Sequence, residues 1–298
     1  MARRLDLHDW DDLPGTAERG DGWALVQGDS LGVLEKLPPR SVDLIFADPP
    51  YHLSNGGTTC QGGRRVRVDK GAWDSSRGIE ADHAFQRSWL QACRRVLKPS
   101  GTIWVSGTQH VIFSVGFALQ ELGYHLLNTV TWYKPNAAPN LACRFFTHST
   151  EILLWASPMR SKPLAHRFNY RDMKQRNGGK QMRDLWEVSE RPEPGGGQVV
   201  WALPTPGPRE KLLGRHPTQK PLSLLERVLA ASSSEGDLVL DPFSGSGTTG
   251  VAAALTGRRF LGVEMQQSYV DLAARRIRAA ADGTPLFPTP AQPAVPSR

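Results

Sequence analysis

An acid, two prolines and an aromatic residue stand together directly after an apolar segment, as Asp48-Pro49-Pro50-Tyr51 after residues 42–47. The apolar segment predicts a buried strand that ends at this tetrapeptide. Proline fixes φ and has no N–H, so the turn is stiff, while the Asp48 carboxylate and nearby carbonyl groups can accept hydrogen bonds from an amino group. The Tyr51 ring can stack on a flat heterocycle. These groups are suited to holding the exocyclic amine of a nucleobase that has turned out of its duplex.

A glycine-rich segment follows another apolar run much later in the chain. Residues 238–240 lead into Asp241-Pro242-Phe243-Ser244-Gly245-Ser246-Gly247-Thr248-Thr249-Gly250, and small apolar residues typical of a helix come next. This order predicts a strand, a turn and a helix, in which Gly245 and Gly247 let a ligand approach the backbone. The next predicted strand ends at Glu264, where an acid typically binds ribose hydroxyls. The lysine of a phosphate-binding loop is absent, which favours a nucleoside without a pyrophosphate.

The two segments resemble the signatures of the DNA amino-methyltransferases, which use S-adenosylmethionine (AdoMet). The family's catalytic signature is D/N/S-P-P-Y/F/W and its cofactor signature is F-x-G-x-G. Here the catalytic signature comes first, as in the circularly permuted β group. His216-Pro217-Thr218-Gln219-Lys220-Pro221 and Gly28-Asp29-Ser30 resemble two further elements of that group, and the resemblance extends from about Trp23 to Ile277.

The resemblance implies a fold and a role for individual residues. The implied fold is α/β, a doubly wound, mostly parallel sheet of the Rossmann-like methyltransferase type with an inserted target-recognition region. Catalysis is assigned to Asp48, Pro49, Pro50 and Tyr51, and no metal is implied. Cofactor binding is assigned to residues of the other motifs, namely Asp29, Thr218, Lys220, Asp241, Phe243, Ser244, Gly245, Ser246, Gly247, Thr248 and Glu264.

Composition narrows the class of protein further. The chain of 298 residues has 36 Lys and Arg against 29 Asp and Glu, a net charge of +7 and a pI near 9.5, and such a basic balance favours a nucleic-acid partner. Its three cysteines, Cys60, Cys93 and Cys143, are far apart, which argues against a disulfide framework and a zinc site. With no apolar run of membrane-spanning length and no signal-peptide core, we expect a protein of the bacterial cytoplasm.

The chain divides into five predicted segments. They are a loose polar arm (1–22), a catalytic half with a loop at 52–78 (23–156), a target-recognition insert (157–214), an AdoMet-binding half (215–282) and a proline-rich disordered tail (283–298). An amphipathic helix is predicted over 80–97, and further helices are predicted over 30–37, 109–122 and 221–232. Strands are predicted over 102–106, 126–132 and 151–155.

Basic residues are concentrated in the loop and in the insert. Between Arg160 and Arg191 there are nine Lys or Arg residues against four acids. The loop pattern S-N-G-G…C-x-G-G…V-x-K-G-x-W-D resembles adenine-specific bacterial members of the β group, of the MboII-like and single-strand GATC types. The cations expected to bind DNA are Arg64, Arg65, Arg67 and Lys70 in the loop, which would meet phosphates, and Arg171, Lys174, Arg176, Lys180 and Arg183 in the insert, where changes should alter which sequence is methylated.

The expected reaction is direct transfer of a methyl group to an exocyclic amine, by positioning and electrostatic stabilisation. The chain has no Pro-Cys dipeptide, which argues against methylation of cytosine C5. Asp-Pro-Pro-Tyr is commoner in the adenine group, so adenine N6 is favoured, and cytosine N4 stays open. Methylation of RNA or of protein glutamine and a catalytically silent DNA-binding subunit are further alternatives. A cognate restriction endonuclease and the choice between monomer and homodimer also stay open.

Overall fold

The computed structural model describes residues 13, 15–51, 58–61, 64–67, 74–135, 137, 139–186, 206, 210, 213–214 and 216–284, with only the backbone at 16, 58–61 and 64–67. The strands are β1 (Thr16–Gly20), β2 (Trp23–Gln27), β3 (Val42–Ala47), β4 (Thr58–Gln61), β5 (Arg64–Arg67), β6 (Leu97–Gly107), β7 (His125–Tyr133), β8 (Thr150–Ser157), β9 (Leu185–Trp186), β10 (Leu238–Asp241) and β11 (Arg259–Glu264). The helices are α1 (Ser30–Lys36), α2 (Ile79–Val96), α3 (Ile112–Glu121), α4 (Tyr170–Arg176), α5 (Leu222–Ser232), α6 (Thr248–Leu255) and α7 (Gln267–Ala281).

Nine strands form one mixed sheet in the order β1-β2-β11-β10-β3-β6-β8-β7-β9. The five neighbouring strands β2, β11, β10, β3 and β6 are parallel to one another. Strand β8 is antiparallel to both β6 and β7, and β1 is antiparallel to β2. Strands β3 and β10 are direct neighbours, with Leu44 opposite Val239. The predicted doubly wound, mostly parallel sheet is therefore confirmed, and it joins the two motifs that are far apart in sequence.

Two hydrophobic cores cover the two faces of this sheet. Along β3 the side chains alternate, so that Ile45 and Ala47 belong to one core and Leu44 and Phe46 to the other. Helices α1, α2 and α3 contribute to the first core, and α5, α6 and α7 to the second. Helices cover both faces of this sheet, so a central strand must present apolar side chains alternately to each face. The same packing brings the carboxyl ends of β3, β10 and β11 to one edge, where open α/β sheets bind ligands.

Three of the segments expected to be irregular contain regular structure. Residues 16–20 of the predicted arm form β1, which pairs with β2 around Asp21-Gly22. The predicted loop 52–78 contains the hairpin β4–β5, a separate two-stranded sheet whose strands are joined in sequence by Gly62-Gly63. Asp-Gly and Gly-Gly between strands are signatures of two-residue hairpins. The insert contains α4 and β9, so part of 157–214 belongs to the main domain.

Several expectations fall on residues that the structure does not describe. They are Lys70 of the loop, residues 187–205 of the insert and the tail from 285 onward. Within the described ranges, no helix is long and apolar enough to cross a membrane. The same ranges contain no group of three or more His, Cys, Asp or Glu side chains arranged to hold a metal ion.

Candidate active site

The carboxyl ends of β3, β10 and β11 open into one cavity of about 590 Å³. It lies where the parallel strands end, as expected for this architecture. Residues from all four sequence motifs line it, namely Gly28, Asp29, Asp48, Pro49, Pro50, Tyr51, His216, Thr218, Lys220, Asp241, Phe243, Ser244, Gly245, Ser246, Thr248 and Glu264. Residues assigned to catalysis and to cofactor binding therefore share a single site, although almost two hundred positions separate Asp48 from Gly245.

The Asp48 carboxylate accepts a hydrogen bond at each of its oxygens. Its Oδ1 accepts from the Tyr51 hydroxyl at 2.6 Å. Its Oδ2 accepts from the Lys220 ammonium at 2.5 Å. The sequence assigns Lys220 to cofactor binding, but the structure pairs its ammonium with the catalytic carboxylate. The Asp48 side chain is thus held at the tip of β3 by one neighbour on the same turn and one from the opposite half of the chain.

Tyr51 is held at both its backbone and its hydroxyl. Its backbone N–H donates to Asp74 Oδ1 at 2.9 Å, across the loop that contains the hairpin. Its hydroxyl lies 2.9 Å from Ser106 Oγ and 3.3 Å from Glu151 Oε2. Burial, then the carboxylates of Asp48 and Glu151, raises the pKa of Tyr51 well above its usual value. The phenol therefore stays protonated at neutral pH and acts as a hydrogen-bond donor.

Glu151 lies between two ammonium groups. Its Oε1 accepts from Lys134 Nζ at 2.8 Å, and its Oε2 lies 3.6 Å from Lys220 Nζ. Burial alone would raise the pKa of Glu151, but the two lysines outweigh burial and leave this pKa below its usual value. Burial would lower the pKa of Lys220, but the carboxylates of Asp48 and Glu151 outweigh it and raise this pKa. Two carboxylates and two ammonium groups thus form a buried cluster with no net charge.

Four residues that hold Tyr51 or belong to this cluster were not among the predicted site residues, and three of them carried a signal in the sequence. Asp74 belongs to the W-D pair of the loop pattern, and Lys134 follows the aromatic end of β7. Glu151 is a charged residue at the start of an apolar strand, where a buried acid needs a partner. Ser106 carried no signal, because a serine near the end of a strand is common.

On the cofactor side, Gly245 needs the freedom of glycine because its φ is +50°. A Cβ at this position would lie 3.2 Å from the ring of His216, which also lines the cavity. Glu264 spans the turn, since its Oε2 accepts from the Gly245 N–H at 3.0 Å and its Oε1 from the Gln266 N–H at 2.8 Å. Burial raises the pKa of Glu264. The Gly245 backbone is thus presented to the cavity beside a carboxylate.

Gly247 has a different reason to be glycine. Its φ is +74°, and a Cβ would lie only 2.7 Å from Ala273 Cβ on α7. The expectation that this glycine admits a ligand is therefore corrected, because what approaches its backbone is a neighbouring helix. Ser246 and Thr248 line the cavity and are also tied to α7, since the Ser246 carbonyl and the Thr248 hydroxyl accept from Arg276.

Other residues assigned to the cofactor shape the turn. Asp241 accepts from the Phe243 N–H at 3.0 Å and from the Thr249 hydroxyl at 2.6 Å, and burial raises its pKa to about 7. The Phe243 ring packs edge-on against Trp89 of α2, with centroids 5.3 Å apart.

The remaining cofactor residues stand at the rim of the cavity. Asp29 caps α1, where its Oδ2 accepts from the Gly32 N–H at 3.1 Å. The backbone N–H of Thr218 donates to His216 Nδ1 at 3.3 Å. The His216 ring in turn meets the Tyr269 ring edge-on at 4.3 Å between centroids.

The residues predicted to contact DNA fall into two groups. Arg64, Arg65 and Arg67 lie on β5, in the segment that follows the catalytic turn. Helix α4 instead packs near the end of α5, where Asn169 Nδ2 donates to the carbonyls of Ala230 and Ser233 at 2.7 and 2.8 Å.

That place is the edge where β10 and β11 begin, opposite the cavity. The structure therefore does not bring Arg171, Lys174 and Arg176 together with Asp48. Lys180 and Arg183 are exposed on the segment that leads to β9. Contact of these residues with DNA stays a prediction.

The cavity fits AdoMet in size and in chemistry. Its volume falls in the range of small-molecule sites. The Glu264 carboxylate can accept from ribose hydroxyls, and Gly245 lets an extended ligand lie against the backbone. The Phe85, Phe243 and Tyr269 rings supply apolar walls.

Comparison with known proteins identifies the family. Residues 42–275 match the family model N6_N4_Mtase, described as DNA methylase. The chain is 49% identical over 255 residues to the type II methyltransferase M2.DpnII of Streptococcus pneumoniae, over 86% of this chain and 89% of that protein. It is also 49% identical over 257 residues to the type II methyltransferase M2.LlaDCHI of Lactococcus lactis subsp. cremoris, over 86% and 90% respectively.

Solved structures share the fold at lower identity. The PvuII DNA methyltransferase (cytosine-N4-specific) matches with a TM-score of 0.63 and 20% identity over 88% of this chain and 93% of that one. The complex of M1.HpyAVI with SAM (AdoMet) matches with a TM-score of 0.56 and 23% identity over 86% and 98%. The chain belongs to the N6/N4 DNA methylase family and is an AdoMet-dependent DNA amino-methyltransferase.

Proposed function

We propose that this methyltransferase modifies adenine N6 at a specific DNA sequence, and that Asp48 holds the target amine. The observation that carries the proposal is the single cavity shared by Asp48, Tyr51 and the turn at Gly245. The nitrogen of a nucleobase amine is a poor nucleophile because its lone pair is delocalised into the ring. Acceptance of its N–H groups by the Asp48 carboxylate and the Pro49 carbonyl favours a tetrahedral nitrogen with an available lone pair. Bound AdoMet supplies the electrophilic methyl group.

The buried cluster suits a reaction that generates positive charge. As the amine attacks, its nitrogen becomes cationic, and the nearby Asp48 carboxylate stabilises that charge in a site with little water. Tyr51 and Lys220 fix the direction of the Asp48 oxygens before the base arrives, which lowers the cost of orienting the reactants. No covalent intermediate with the protein is needed.

Adenine is preferred to cytosine on the catalytic motif, since Asp-Pro-Pro-Tyr is commoner in adenine enzymes of the resembling group. Methylation of cytosine N4 is the second candidate, because both amines present the same N–H groups. Two relatives are named type II methyltransferases, which supports a role in a restriction-modification system with a cognate endonuclease. We also propose that residues 157–214 contribute to recognition of the target sequence.

Transfer of a deuterated methyl group from labelled AdoMet to DNA, followed by nucleoside mass spectrometry, tests this function. We expect labelled N6-methyladenine, and labelled N4-methylcytosine would overturn the adenine assignment. Asp48→Ala should lower kcat by about 100-fold to 1000-fold with little change in AdoMet affinity. Asp43→Asn is the matched control, because Asp43 lies on the same strand but bonds to Lys98 and the Leu238 N–H at its other end. Full activity in Asp48→Ala would refute the catalytic role.

The Tyr51 hydroxyl gives a second test. If Tyr51 acted only by stacking on the base, Tyr51→Phe would keep full activity. Because its hydroxyl donates to the Asp48 carboxylate, we expect Tyr51→Phe to lower kcat by roughly tenfold, the value of one hydrogen bond to a charged group. Tyr51→Ala should also raise KM for DNA. A Phe variant with unchanged kcat would leave stacking as the whole contribution of this residue.

A further inference from the structure

In this structure the Lys220 ammonium already donates to the carboxylate that we propose holds the target amine. An amine donates N–H groups to Asp48, and Lys220 Nζ already donates to Asp48 Oδ2 at 2.5 Å. The other oxygen, Oδ1, already accepts from the Tyr51 hydroxyl at 2.6 Å. A base that enters the site must therefore share Asp48 with a cation, and that cation repels the positive charge which develops on the amine.

A second carboxylate lies within reach of the same ammonium. Glu151 Oε2 is 3.6 Å from Lys220 Nζ, just beyond hydrogen-bond distance, while Lys134 holds Glu151 Oε1 at 2.8 Å. A shift of Nζ by about 1 Å would close this gap to an ordinary charged hydrogen bond. Lys220 is only 7% exposed, so water is a poor substitute for either carboxylate. The ammonium thus bonds to Asp48 and has a second carboxylate, that of Glu151, within reach.

We propose that Glu151 is a positioning residue that takes the Lys220 ammonium from Asp48 when the target amine binds. The proposal rests on the role of Asp48 in holding that amine. No proton moves in this exchange, because Lys220 stays an ammonium and both acids stay carboxylates. One buried ion pair replaces another, so the step avoids leaving an unpaired buried charge. Lys134 keeps Glu151 in place throughout.

Charge removal at both positions separates this role from a merely structural one. In Glu151→Gln the neutral amide holds an ammonium poorly, so Lys220 should stay on Asp48 and the rate of methyl transfer should fall by roughly 100-fold. In the double variant Glu151→Gln/Lys220→Met no ammonium competes for Asp48. The double variant should therefore be at least about tenfold faster than Glu151→Gln alone. A reduced rate caused by damage to the fold would instead fall further when the second residue is changed.

The measurement is the single-turnover rate of methyl transfer to DNA at saturating AdoMet, with AdoMet affinity by calorimetry. Lys98→Met is the matched control, because Lys98 pairs with Asp43 at 2.7 Å at the far end of β3. That variant should keep the parental transfer rate. Parental activity in Glu151→Gln, or a double variant as slow as or slower than Glu151→Gln, would overturn the proposal.

Two further variants keep the test decisive. If Glu151→Gln does not fold, Glu151→Asp with and without Lys220→Met replaces it, since a shorter carboxylate lies farther from the ammonium. Rescue by Lys220→Met would again support the proposal, and its absence would overturn it. The Asp48→Ala variant separates this inference from the proposed function. An active Asp48→Ala enzyme would remove the basis of both, whereas an inactive one without rescue would refute the exchange alone.

Discussion

Two glycines of the same turn face different neighbours, so we expect substitutions at the two positions to affect different properties of the protein. Both have positive φ, where a side chain is strained whatever the space. Gly245 faces the His216 ring and the cavity, whereas Gly247 faces Ala273 on α7. The first glycine is therefore required by the ligand site and the second by the packing of α6 against α7.

We expect Gly245→Val to weaken AdoMet binding by more than about tenfold, because its side chain would project toward His216 and the cavity. Gly247→Ala should lower the free energy of unfolding by roughly 2–4 kcal/mol, since its Cβ would overlap α7 and its φ would be strained. Calorimetric titration with AdoMet and urea unfolding of both variants give the comparison. An equal drop of AdoMet affinity in both would contradict the division of roles.

A buried carboxyl on this turn predicts a pH dependence of stability. Burial raises the pKa of Asp241 to about 7 in the folded protein, against about 3.9 for an unfolded chain. The folded state therefore binds the proton more tightly. The contribution of this carboxyl to stability is full below about pH 4 and is lost as the pH rises through about 7.

Replacement by Asn removes this titration. Relative to the parent, the free energy of unfolding of Asp241→Asn should rise by roughly 1–3 kcal/mol between about pH 5 and about pH 8. Urea unfolding of both proteins at the two pH values measures the difference, in which other titrating groups cancel. A difference that is the same at both values would show that Asp241 is ionised throughout.

At the scale of elements, a strand can be predicted from the sequence when it is buried, and a contact can be predicted when its residues are close in the sequence. Strands such as β3 and β10 are apolar on both faces, so their runs of Val, Leu and Ile are visible in the sequence. Strand β1 is polar and the hairpin β4–β5 is rich in Arg and Thr, so the sequence predicted an arm and a loop there. Only the dipeptides Asp-Gly and Gly-Gly between the strands could have indicated them.

The catalytic tetrapeptide is local and predictable, whereas the contact between Tyr51 and Glu151 is not. It depends on the register of β8 against β6, in which Gly107 lies opposite Ile152. That register puts Glu151 just beyond the paired residues, beside Ser106. A pairing between distant segments leaves no trace in a pattern of a few residues.

The short strand β9 pairs with β7 in parallel and buries one aromatic side chain. Trp186 is 4% exposed, its ring lies 5.7 Å from that of Trp104, and the Arg227 guanidinium stands 5.0 Å from its centre. We expect Trp186→Ala to cost about 3–5 kcal/mol of stability with unchanged AdoMet affinity. Leu185→Ala on the same strand is the matched control, because Leu185 is 54% exposed and should cost less than about 0.5 kcal/mol. Thermal unfolding of both variants would decide, and similar destabilisation of the two would refute anchoring through Trp186.

At the scale of the whole molecule, the cations predicted to contact DNA form two sets on different elements. The three arginines of β5 belong to the segment that follows the catalytic turn in sequence. The three cations of α4 lie at the edge of the main sheet opposite the cavity, near the starts of β10 and β11. The sets are Arg64, Arg65 and Arg67 on β5 and Arg171, Lys174 and Arg176 on α4. A base held by Asp48 must belong to DNA on the cavity side, so we expect the first set, which follows the catalytic turn in sequence, to meet its phosphates.

Two variants test this division. In each one the three cations of one set are replaced by Gln, so both variants lose the same charge. The β5 variant should weaken binding to every DNA sequence about equally, because phosphate contacts carry no base information. Its plot of log affinity against log salt should flatten by up to about 0.9 for each phosphate that the variant no longer neutralises. The α4 variant has the same net charge as the β5 variant and should keep the parental slope, apart from a small long-range effect that salt screens. Fluorescence anisotropy on one duplex at several salt concentrations gives both slopes. An unchanged slope in the β5 variant, or the same flattening in both, would move the DNA-binding surface away from this hairpin.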